Sequence, residues 1–205
     1  MRPIFTIHAG EYLAATEIEK RFRHLQVWIP SKDTGIDLLV TDGQQDKVAS
    51  LQVKFSKDYL GSAGGAAQAP EIASSGWWTF QRTKIEKSAA DFWVLTLYQF
   101  QSRKFDFVIV RPRELLARYE RIAPGLNAIQ SYFCVTTAGH CWEVRGLSKA
   151  DMAGIRAGTY SNSTRDFSEY LNTWPFKKHP RDHAPSNLAL HPTPQRRSRA
   201  ATRRG

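Results

Sequence analysis

Four side chains in the first third of the chain carry complementary chemistry: Glu11, Asp37, Gln52 and Lys54. The two carboxylates are hard oxygen donors, and Mg²⁺ is commonly held by one or two carboxylates with carbonyls and waters. Gln52 offers a side-chain carbonyl. Lys54, two residues further on, offers an ammonium that can orient an attacking water and stabilise charge developing on a phosphate. If the four converge, they form a kit for metal-assisted hydrolysis of a phosphodiester.

Convergence depends on the elements that carry them. Residues 50–57, SLQVKFSK, place Leu51, Val53 and Phe55 at alternate positions, as in a half-buried strand. Ile36, Leu38 and Val40 alternate likewise, and DGQQDK at 42–47 supplies a turn between the two strands. With 41 opposite 48 in an antiparallel hairpin, residue 37 falls opposite residue 52. Directly paired residues share a face, so Asp37, Gln52 and Lys54 project together and the aliphatic residues fill the other side. Upstream, GEYLAATEIEKRFRHL at 10–25 reads as a helix with Ala15, Ile18, Phe22 and Leu25 on one stripe. At 100° per residue, Glu11 lies within about 40° of that stripe and faces inward. The dipole alone would favour an acid here, but it does not account for the inward direction. On the residues alone a plainer reading stays open, with Gln52 and Lys54 as the solvent face of an edge strand.

A helix with an early Glu, an Asp, and then Q-x-K on the following strand resembles the PD-(D/E)xK nuclease superfamily. GEYLAATEIEK, DTGIDLLV and LQVK carry the resemblance. The D-x-G-x-D opening with Q-x-K is most similar to the Mrr-type restriction endonuclease branch, and Holliday-junction resolvases share the layout. The resemblance implies a restriction endonuclease-like α/β fold, with a central mixed sheet flanked by helices. It implies a metal-dependent DNA endonuclease using Mg²⁺ or Mn²⁺. Asp37 would be the central metal ligand, Glu11 the helix-borne acid completing the metal site, Gln52 an assisting ligand and Lys54 the catalytic lysine. It covers residues 8–57 well and 83–121 loosely. Ile36 stands where many members have proline, and Gln52 where many have Glu. The second departure leaves an alternative open: a catalytically impaired module of the same fold that binds DNA or a protein without cutting. Cutting both strands of a duplex usually takes two active sites, which leaves room for a homodimer.

The rest of the chain sets the frame. Its 205 residues suit one domain, expected over 1–176, and a basic tail over 177–205 that is expected to be disordered. The formal charge is +10, and the tail carries +7 of it, so the basic balance says little about the folded part. Two cysteines make no disulfide framework, and no secretory pattern or membrane-length apolar run is present. A cytoplasmic setting without a membrane is expected. Residues 59–76 read as a Gly/Ala/Ser loop, 83–90 as a short helix, and 91–99 and 104–111 as strands. Residues 112–122 read as a helix opened by Pro112, YFCVTT and CWEV as a hairpin, 147–158 as a helix capped by Ser148, and 163–174 as a last helix. Cys134, His140 and Cys141 lack a fourth zinc ligand and read as hairpin packing. Trp77, Trp78 and Phe80 read first as loop anchors, with base stacking as the second option. Gln81, Arg82 and Lys84 are candidates for phosphate contact.

Overall fold

A computed structural model of the chain describes residues 9–31, 34–57, 71–99, 104–178 and 182. Helix α1, Ala9–Arg21, is rich in strong helix formers and carries Glu11 in its first turn and Lys20 and Arg21 in its last, the polarity its dipole favours. Strands β1 (Gln26–Trp28), β2 (Leu38–Thr41) and β3 (Lys47–Lys57) follow. Next come β4 (Ile72–Gln81), the short α2 (Arg82–Glu86), β5 (Phe92–Gln99) and β6 (Lys104–Val110). Helix α3, Pro112–Ile122, starts on its proline. Strands β7 (Ala128–Thr136) and β8 (Cys141–Glu143) form the expected hairpin. Helix α4, Lys149–Ala157, opens on a capping box between Ser148 and Asp151 and closes on a left-handed Gly158.

The fold is α/β, with a mixed five-stranded sheet ordered β1-β2-β3-β5-β6 and a second sheet ordered β4-β7-β8. In the larger sheet only β3 and β5 run parallel. Parallel neighbours need a crossover, and here the chain makes it through β4 and α2. Two cores result. On one face of the large sheet, Ala14 and Ile18 of α1 and Phe22 just after it cover Leu38, Val40, Leu51 and Val53, with Trp174 and Phe176 completing the layer. On the other face, Trp93, Leu95 and Leu97 meet Trp78, Phe80 and Phe133 of the second sheet and Leu115 and Tyr119 of α3. Among the described residues, no helix is long and apolar enough to cross a membrane.

The hairpin register is Leu38 opposite Leu51, Leu39 opposite Ser50 and Val40 opposite Ala49, in step with 37 opposite 52. It slips at the turn end, where Thr41 pairs with Lys47 rather than residue 48, through a bulge after Val40. Strand β4 occupies part of the stretch read as loop. Its inward positions include Ser74 and Gly76, which carry no apolar signal. A Cβ on Gly76 would lie 2.5 Å from the ring of Trp78, so only glycine leaves room for that indole. The helix expected over 163–174 shrinks to a 3-10 turn at Ser168–Tyr170. Its short polar side chains bond to backbone instead: Asp166 accepts from the Ser168 N–H at 2.9 Å, and Asn172 from the Phe107 N–H at 3.0 Å.

Candidate functional site

Strand β2 leaves β3 at Asp37. The Asp37 N–H still donates to the Leu51 carbonyl at 2.8 Å, the last backbone bond of the pair. The next inward donor of β3, the Val53 N–H, is taken by the Asp37 carboxylate itself, with Oδ2 at 2.7 Å. The side chain thus replaces a strand, and its carboxylate is pinned where the two strands splay apart. Beyond this point β3 continues to Lys57, paired to β5.

The splay lets groups from both faces of the sheet meet. Helix α1 lies over the face carrying Val53, and it comes unusually close: a Cβ on Gly10 would stand 2.6 Å from Cβ of Phe55. That contact brings the first turn of α1 down beside β3 and buries Glu11 to 6% exposure. Gln52 and Lys54 project from the opposite face, toward the second sheet. The Lys54 ammonium lies 5.6 Å from the centroid of the Trp93 ring, an electrostatically favoured perch for a cation. Trp93 is itself held by its Nε1, which donates to Ser88 Oγ at 2.8 Å.

Glu11, Asp37, Gln52 and Lys54 line one cavity of about 620 Å³. Its far wall comes from the end of β4, from α2 and from the turn after it, with Gln81, Lys84 and Lys87 among the lining residues. Two carboxylates and three lysines therefore line a shared space. The donor set is all oxygen: two carboxylates and a carboxamide carbonyl. Among the described residues no cluster of three or more His, Cys, Asp or Glu side chains could hold a metal alone. This set fits a hard cation that keeps several waters, as Mg²⁺ does, better than an ion that demands a full protein cage.

Other residues singled out in the sequence have different places. Arg82 is committed to the fold: it donates to the Leu126 carbonyl at 3.0 Å and the Ala123 carbonyl at 3.4 Å, and pairs with Glu120. Trp78 and Phe80 are core, whereas Trp77 is 40% exposed. Cys134 and Cys141 are buried in the β7–β8 hairpin. Burial pushes the Cys134 thiol up to about 12 and Cys141 well above its ordinary value, so neither is a nucleophile at neutral pH. Asp33, the first residue of the D-x-G-x-D opening, lies outside the described residues, as do the tail residues 179–181 and 183–205. Lys87, which the sequence reading passed over, lines the cavity. Its one available signal was its place in the turn that ends a short helix.

No family model, no curated protein and no solved structure matches this chain.

Proposed function

We propose that this chain is a metal-dependent DNA endonuclease that hydrolyses phosphodiester bonds. The observation that carries the reading is that Glu11, Asp37, Gln52 and Lys54, from one helix and two strands, line the same cavity. In this reading Glu11 and Asp37 hold a Mg²⁺ or Mn²⁺ ion and Gln52 lends its carbonyl. The bound ion supplies Lewis-acid polarisation of a phosphoryl oxygen. Asp37 is preorganised by the Val53 N–H, so it spends no reorganisation on binding. Lys54, steadied over Trp93, orients the attacking water and stabilises charge building on the phosphoryl oxygens. Lys84 and Lys87 add positive potential on the facing wall, which draws a phosphate backbone in. The likeness of GEYLAATEIEK, DTGIDLLV and LQVK to the PD-(D/E)xK superfamily supports the same assignment.

The test incubates wild type and Lys54→Ala with supercoiled plasmid and with branched DNA, in Mg²⁺ or Mn²⁺. Wild type should cut, and Lys54→Ala should be slower by roughly 10²-fold or more. Equal cutting by both proteins, or cutting by neither, overturns the catalytic assignment. One observation favours a second reading, a nuclease-like module that binds DNA without cutting it: the amide of Gln52 leaves the cavity with two carboxylates. That reading predicts DNA binding without cleavage under every divalent ion tried.

A further inference from the structure

Strand β4 presents a second surface on its other side. Inward, its residues enter the core. Outward, Trp77 stands directly opposite Tyr132 of β7, and Thr79 opposite Gln130. The Trp77 and Tyr132 rings are 6.2 Å apart between centroids and tilted by 42°. The guanidinium of Arg145 lies 5.4 Å from the Tyr132 centroid, and its Nη2 donates to Gln130 Oε1 at 2.9 Å. Further along this face Trp142 is buried against Tyr160, at 5.0 Å between ring centroids. The aromatic strip is therefore covered at one end, while Trp77, Thr79, Gln130 and Arg145 remain exposed at the other. None of the outward positions from 77 to 81 of β4 or from 128 to 132 of β7 is acidic.

We propose that Trp77, Tyr132 and Arg145 form a stacking platform for the unpaired bases of a single nucleic-acid strand. The exposed Trp77 ring beside the half-buried Tyr132 ring, next to a guanidinium, offers π-faces to bases and a cation to the backbone. A fully paired duplex keeps its bases stacked inside and cannot use such a surface. The platform leads to the cavity. The Trp77 N–H donates to Ser56 Oγ at 2.8 Å, which ties the platform to the strand bearing Gln52 and Lys54. Thr79 and Gln81, further along β4, line the cavity itself. A strand laid along β4 therefore passes from the rings to the lysine-lined mouth. The inference rests on the nuclease reading for the kind of polymer bound, and it narrows the substrate to DNA with an unpaired segment, such as a flap, a gap or a branch.

The test measures binding by full-length protein in metal-free buffer with EDTA, so that its result does not depend on cleavage. Fluorescence anisotropy follows labelled oligo-dT, oligo-U and a blunt duplex of equal length. Oligo-dT should bind more tightly than the duplex. Trp77→Ala should weaken oligo-dT binding by roughly 5- to 100-fold, the loss expected of one stacked base, and leave the duplex nearly unchanged. Trp77→Phe should retain most of the affinity, and Arg145→Gln should lose part of it, which guards against a folding defect in one variant. Comparable binding of oligo-U would extend the platform to RNA. Equal affinity for strand and duplex, or unchanged oligo-dT binding in both Trp77→Ala and Arg145→Gln, overturns the proposal. A protein that binds oligo-dT through Trp77 yet never cuts upholds the platform and sinks the nuclease reading.

Discussion

At position 52 a carboxamide stands where a carboxylate would add a full negative charge to Glu11 and Asp37. An extra charge about 4 Å from a cation is worth roughly 1–4 kcal/mol per unit of cation charge, between water-like and protein-like screening. Gln52→Glu should therefore lower the dissociation constant for the divalent Mg²⁺ or Mn²⁺ by about thirtyfold or more, measured by calorimetric titration of the free protein. An unchanged constant would mean that position 52 does not face the ion. Three of the four site positions were legible for physical reasons. Strand alternation put Gln52 and Lys54 on one face, and helical periodicity turned Glu11 inward. Asp37 was legible as the partner of residue 52, but not in its manner of use. Its carboxylate taking the Val53 N–H depends on β2 ending there, and no periodicity announces where a strand lets go of its neighbour.

Elements set how tightly those residues are held. Helix α1 reaches β3 only because residue 10 lacks a side chain, since a methyl there would meet the Phe55 Cβ and backbone rather than a flexible tip. Gly10→Ala should gain a few tenths to about 1 kcal/mol of helix propensity and lose about 1–3 kcal/mol to overpacking. The net expectation is a lower urea midpoint. Because the strain would lift the first turn, the plasmid cleavage proposed for this chain should fall further than in Thr16→Ala, a control at an exposed position of the same helix. Strand β4 shows why part of the fold stayed hidden: its buried side carries Ser74 and Gly76, chosen to fit beside Asp106 and Trp78 rather than for hydrophobicity. The β7–β8 hairpin holds a different device. Glu143 is fully buried, accepts from the Tyr132 and Arg145 N–H groups and pairs with Arg165. Burial raises its pKa above the ordinary 4.5, and Arg165 opposes the shift only in part. A raised carboxyl pKa contributes stability fully below about pH 4.5 and loses it as pH rises through the folded-state value. The stability of wild type relative to the non-titrating Glu143→Gln should therefore decline as pH rises above the ordinary value of 4.5, read as the difference in urea midpoints. A rising difference would mean that Arg165 outweighs burial.

For the whole molecule, the proposed nucleic-acid partner raises the question of which charges would meet it. Of the net +10, residues 177–205 carry +7, while the cavity and the β4 face supply Lys54, Lys84, Lys87 and Arg145. These two sets act differently. Neutralising a phosphate releases counterions and steepens the salt dependence of binding whatever the sequence or structure of the nucleic acid. Ring stacking and a fixed cavity discriminate between structures but change the slope little. Trp174 and Phe176 belong to the α1 core and must be kept, so the informative truncation removes residues 179–205, which hold six arginines and one acid. The shortened chain should stay folded. Its log–log plot of affinity against salt should be shallower by up to about 5 units on duplex DNA, at about 0.9 per lost phosphate contact. Its preference for oligo-dT over duplex should widen, because on this proposal the tail would serve both ligands and the platform only one. A slope unchanged by the truncation would assign all phosphate contact to the folded part. A preference that vanished with the tail would place discrimination there, against the geometry of Trp77, Tyr132 and Arg145.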